Sequence, residues 1–140
     1  MNEKISQLRP KVKRLAQKLV AECQARGVGI VITSCYRSFE DQDKLYAKGR
    51  AESGKIVTNA RGGYSMHNYG VAFDICPIEN GKLNWSNLLL FAKIGRIGES
   101  IGLEWGGAWK AFTDKPHFQY TAGYKLDDFL KNRVDWKKFD

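Results

Sequence analysis

The chain contains only two histidines, and each lies among polar residues and glycines near a predicted strand edge. His67 falls in the run Ser65-Met66-His67-Asn68-Tyr69-Gly70-Val71-Ala72-Phe73-Asp74, where a carboxylate follows the imidazole by seven positions. On a strand, Asp74 shares a face with Ala72, and a carboxylate there is costly to bury without a partner. A bound cation would provide one; pairing with one of the 23 Lys and Arg residues is the alternative. His117 stands in Asp114-Lys115-Pro116-His117-Phe118, three residues after a second carboxylate. Two neutral imidazoles and one carboxylate make a three-ligand zinc site whose fourth position stays open to water. Zinc brings the pKa of that water to about 7. Asp114 suits the role of a base beside the metal better than that of a fourth ligand, its alternative being a turn cap before Lys115-Pro116.

These residues need elements to hold them. Apolar positions Leu8, Val12, Leu15, Leu19 and Cys23 recur at three- and four-residue steps, which predicts an amphipathic helix from Ile5 to Ala25 that ends at Gly27. Val28 to Thr33 reads as a buried strand. Ser38 and Asp41 have the spacing of a capping box opening a helix that runs toward Gly49. Arg50 to Gly63 is expected to be loop with a short strand at Ile56 and Val57. A strand over Val71 to Ile75 should be broken by Pro77 and the Glu79-Asn80-Gly81 turn. A second helix is predicted from Trp85 to Ile101 with Gly102 as its C-cap, then strands at Leu103 to Trp105 and His117 to Tyr120, and a helical turn at Leu126 to Leu130.

At 140 residues the chain has the size of one compact domain, with no repeat or linker to mark a second. We expect a single domain over 1–140 with no separate binding module, and a monomer. No stretch is apolar and long enough to insert in a membrane, and the N-terminus lacks the apolar core of a secretory signal. Synthesis in the cytoplasm is therefore expected, with release or another export route where the substrate lies outside. Cys23, Cys35 and Cys76 lack CxxC spacing and are expected to be small buried hydrophobes. A net charge of +8 favours polyanionic partners in general, but no nucleic-acid recognition motif accompanies it.

Five blocks together resemble the zinc peptidases related to D-alanyl-D-alanine carboxypeptidases, and within them the L-alanyl-D-glutamate endopeptidases of phage endolysins and bacterial autolysins. The first two are Tyr36-Arg37-Ser38-Phe39 with Gln42, and Gly54-Lys55-Ile56-Val57-Thr58-Asn59-Ala60. Ser65-x-His67-x-x-Gly70-x-Ala72-x-Asp74 is the third. Gly102-Leu103-Glu104-Trp105-Gly106-Gly107-x-Trp109 and Asp114-x-Pro116-His117-Phe118 complete the set. The resemblance implies an α+β fold, a small mainly antiparallel sheet with packed helices as in hedgehog domains and D-alanyl-D-alanine peptidases. It implies one Zn²⁺ per chain on His67, Asp74 and His117, with Asp114 as general base and Arg37 steadying the substrate carbonyl or its oxyanion. Cys35 departs from the glycine usual before the Tyr-Arg pair.

The implied substrate is a peptidoglycan stem peptide, with anionic wall polymers as further partners. Ser65, Tyr69, Trp105 and Trp109 are candidates for substrate contact, although packing against the sheet is the more ordinary fate of such large aromatics as the tryptophans. Glu104 would either orient a ligand histidine or pair with a surface base. Rival readings are a D-alanyl-D-alanine carboxypeptidase or dipeptidase, and a non-catalytic zinc domain used for binding; Arg37, Asp114 and the full ligand set favour an enzyme.

Overall fold

The computed structural model describes residues 3–140. Helix α1 spans Pro10–Ala25 and buries Val12, Ala16, Leu19 and Cys23, the stripe its periodicity calls for. It opens later than expected because Pro10 cannot donate an N–H and fits the first helical position; Ile5 lies instead in a 3-10 turn, Glu3–Gln7. Strand β1 follows at Gly29–Ser34. Helix α2 covers Phe39–Ala47, and the Ser38 hydroxyl accepts from the Asp41 N–H at 3.0 Å, as the capping-box spacing requires.

Strand β2, Ala72–Glu79, is longer than predicted and runs through Pro77. The Ile75 N–H donates to the Pro116 carbonyl on the side facing strand β5 (His117–Gln119). Two residues on, Pro77 faces that same side beyond the end of β5, where its carbonyl accepts from the Asn84 N–H, so its missing N–H breaks no bond to β5. The strand turns back at Asn80 and Gly81, both left-handed at φ 53° and 75°, into β3, Lys82–Leu83. Ile56 and Val57 form no strand; they are more than half exposed and lie in the loop.

Helix α3, Leu88–Ser100, starts after Asn87, whose side-chain oxygen accepts from the Leu90 N–H at 3.1 Å. Strand β4 is Glu104–Trp105, and α4, Leu126–Leu130, is the expected closing turn. The sheet is antiparallel throughout, in the order β1-β2-β5-β4 with β3 on β2. Phe73, Ile75 and Phe118 meet α1 and α3 in one core, and all three cysteines are buried. The fold is thus the α+β arrangement with a small antiparallel sheet that the resemblance implies.

Gly95 of α3 lies so close to the Trp105 indole that a Cβ there would fall 2.2 Å from the ring. Helix and sheet therefore approach at a distance that only the absence of a side chain permits.

Candidate metal centre

Pairing of β2 with β5 sets Asp74 directly opposite His117, and β1 brings Ser34 to the other side of Asp74. His67 arrives from a 3-10 turn, Met66–Tyr69. Ser65 caps that turn by accepting from the His67 N–H at 3.3 Å. The Asn68 side-chain oxygen accepts from the N–H groups of Gly63 and Ser65, and its amide donates to the Arg37 carbonyl at 2.9 Å. The Arg37 N–H donates to the His67 carbonyl at 3.0 Å, so turn and β1 exit are tied together.

Both imidazoles are buried, and their proton positions follow from their partners. His67 Nδ1 lies 2.7 Å from the Cys35 carbonyl, which can only accept, so Nδ1 carries the hydrogen and Nε2 a bare lone pair. His117 Nε2 faces the Gln119 side-chain oxygen at 2.8 Å, leaving its Nδ1 bare. Those two free nitrogens each stand 3.3 Å from the same atom, Asp74 Oδ1. That oxygen is buried and accepts no hydrogen bond. Three electron-rich atoms converge where neutral imidazoles offer no proton, and a cation is what relieves such a cluster. Among the described residues, this is the one group of three such side chains close enough to hold a metal ion.

Without a metal, a proton shared among the three groups would take the place of the cation. Burial works to raise the Asp74 pKa, but the two imidazoles outweigh it and hold the carboxyl well below the usual range. For His117, burial opposes the charged form while Asp74 and Gln119 favour it, and the balance lies above the ordinary histidine value. Asp114, half exposed with Oδ2 3.9 Å from His117 Nδ1, is pushed upward, first by burial and then by the charge of Asp74.

A cleft of about 880 Å³ opens over the triad, and Arg37, Ser65, Trp109 and Asp114 lie in its wall. Arg37 donates to Gln42 Oε1 at 2.9 Å and to Ser34 Oγ at 3.0 Å, both neutral acceptors. Among the described residues no carboxylate pairs with it, so its charge is held in place and uncompensated. Trp109 stacks obliquely on His117 with centroids 5.3 Å apart.

Two of the expected substrate contacts are turned into the fold. Tyr69 is buried, its hydroxyl donating to the Gly63 carbonyl at 2.7 Å and its ring packed on Phe129. Trp105 is buried between Gly95 and Gly107 and donates its indole N–H to the Lys115 carbonyl at 2.7 Å, which pins the loop before His117. Among the described residues Glu104 bonds neither histidine nor a base: it accepts the Trp109 indole N–H at 2.7 Å and so sets the ring that covers His117. Sequence reasoning did not single out Gln119 or the Cys35 carbonyl. Gln119 was findable, because it shares a strand face with His117 two positions away. The carbonyl belongs to the backbone and has no residue signature.

A helix-packed antiparallel sheet that converges two imidazoles and a carboxylate beneath an open cleft is the arrangement of a metallopeptidase. Residues 58–120, which carry His67, Asp74, Asp114 and His117, match the family described as D-alanyl-D-alanine carboxypeptidase. The chain is 41% identical over 129 residues to the peptidoglycan L-alanyl-D-glutamate endopeptidase CwlK of Bacillus subtilis (strain 168), covering 81% of this chain and 74% of that protein. The L-alanyl-D-glutamate peptidase of Listeria phage A118 is 27% identical over 130 residues, covering 91% of this chain but only 43% of the phage protein. Among solved structures, the L-Ala D-Glu endopeptidase ChiX of Serratia marcescens shares the fold with a TM-score of 0.65 at 24% identity, covering 86% of this chain and 85% of its own. The chain belongs to this D-alanyl-D-alanine carboxypeptidase-related family of zinc peptidases.

Proposed function

We propose that this chain is a zinc metallopeptidase that hydrolyses the L-alanyl–D-glutamate bond of peptidoglycan stem peptides, a cell-wall lytic enzyme of endolysin or autolysin type acting as one catalytic domain. The observation that carries the reading is Asp74 Oδ1, buried, without a hydrogen bond, and 3.3 Å from the bare nitrogen of each imidazole. The choice of bond rests on the 41% identity to CwlK. One zinc ion held by His67, Asp74 and His117 would supply Lewis acidity, polarising the scissile carbonyl and acidifying water.

The chain's own residues do the rest. Asp114 takes the proton of the attacking water and returns it to the leaving amine, standing in the cleft wall with Oδ2 3.9 Å from His117 Nδ1. Arg37 points a fixed, unneutralised guanidinium at the carbonyl oxygen as negative charge develops there. Ser65 and Trp109 bound the substrate, while Glu104 holds Trp109 in position. The place of action is the cell wall; among the described residues no helix is long and apolar enough to cross a membrane.

Purified protein should release new amino termini from cell wall, and mass analysis of the fragments should place them at D-glutamate. Asp114→Asn should retain zinc by elemental analysis yet lose turnover by about 10²–10⁴-fold, the usual worth of a general base. Unchanged turnover, or loss of zinc in that variant, would remove Asp114 from this role.

A further inference from the structure

A second cavity, of about 340 Å³, adjoins the cleft and shares Thr113 and Asp114 with it as a common wall. Trp85, Leu88, Phe91 and Pro116 make its floor apolar, and Trp85 lies nearly parallel to the buried Phe91 ring, 22° apart. Lys115 is the one cationic residue among those that line it. Among the described residues, the Lys115 ammonium has neither an ion pair nor a hydrogen bond, whereas its backbone is fixed from both sides. The Lys115 carbonyl accepts from Trp105, and the next carbonyl, that of Pro116, accepts from Ile75. A lysine whose ammonium is unpaired among the described residues thus lines an apolar pocket, on a loop held by hydrogen bonds between Asp114 and His117.

Resting on the function proposed above, the orientation of substrate follows from chemistry. Asp114 protonates the leaving amine, so the residue that owns the amine lies on the Asp114 side of the cleft and meets this cavity; the acyl side lies toward Arg37. For an L-alanyl–D-glutamate bond, the owner of the amine is D-glutamate. A glutamyl residue has two carboxyl groups, only one of which continues the chain, so it keeps a free carboxylate within a few bonds of the scissile amide. We propose that this cavity is the leaving-side subsite, with Lys115 pairing with the free carboxylate of D-glutamate and the Trp85–Leu88 surface receiving its methylenes. Lys115 is then a specificity-determining residue, selecting a glutamyl acid over the corresponding amide by a charge-assisted hydrogen bond that the neutral amide cannot match.

The test uses two soluble stem peptides identical except that the free carboxylate of D-glutamate is either ionised or converted to an amide. Full-length wild type should favour the acid form in kcat/KM by about tenfold, the effect of one such charge-assisted contact. In Lys115→Ala that preference should fall to near unity, mostly through a higher KM for the acid peptide, because the contact is made in ground and transition state alike. Lys115→Glu should reverse the preference, and it provides an independent reading should the alanine variant not fold. Retention of the wild-type preference in both variants, or no preference in wild type, would overturn the assignment of Lys115. Failure of wild type to cleave either peptide while it digests wall would instead overturn the choice of bond, and this subsite with it.

Discussion

Each imidazole of the triad carries its proton on the nitrogen turned away from Asp74, because an acceptor waits there: the Cys35 carbonyl for His67 and the Gln119 amide oxygen for His117. These two contacts decide whether the inward nitrogens are lone pairs or N–H groups, and hence whether the cluster attracts a cation or repels it. Gln119→Leu removes one of them while keeping a side chain of similar size. Zinc affinity should fall by about 10–100-fold, as measured by competition with a chelator, with little change in fold by circular dichroism. An unaltered affinity would mean that strand geometry alone orients His117.

At the scale of elements, the site depends on how closely α3 can seat on the sheet. Gly95→Ala would drive a methyl group into the Trp105 indole, which in turn anchors the Lys115 carbonyl beside the catalytic loop. We expect a loss of about 1–3 kcal/mol in urea unfolding, the usual cost of overpacking, accompanied by weaker metal binding; neutral stability would show that the helix can shift freely. The cross-strand pair Asp74 and His117 explains what could be read from the residues and what could not. Both ligands sit in short motifs whose residue types and spacing point to metal chemistry, and the Ser38 cap and the α1 stripe announce themselves in the same local way. The passage of β2 through Pro77 escaped prediction because it depends on where β5 ends, a fact of pairing and not of local sequence. Trp105, read as a possible substrate contact, turned inward because Gly95 and Gly107 leave room for its indole, and Tyr69 because the Gly63 carbonyl accepts its hydroxyl and Phe129 packs on its ring; such partners meet only after folding. Ile56 and Val57 have strand propensity but no neighbouring strand to join.

For the molecule as a whole, a net charge of +8 on 140 residues should concentrate it on anionic wall polymers over distances set by salt. Raising ionic strength shortens the Debye length from about 10 Å at 0.1 M to about 3 Å at 1 M. Activity on intact wall should fall over that range, while hydrolysis of a short soluble stem peptide changes far less; a parallel loss on both substrates would place the salt effect in the site or the fold. The pairing of β2 with β5 has one more consequence, for the integrity of the chain. His67 and His117 are about fifty residues apart, and both converge on Asp74. An ion gripped by all three is therefore a removable crosslink, closing a long loop in a molecule that has no disulfide among its described residues. Its stabilisation follows mass action, about 2.7 kcal/mol when free zinc stands at 100 times the dissociation constant. Chelation should lower the melting temperature and zinc should restore it, in the Asp114→Asn protein as fully as in wild type, so that availability of the metal governs survival of the protein as well as its turnover.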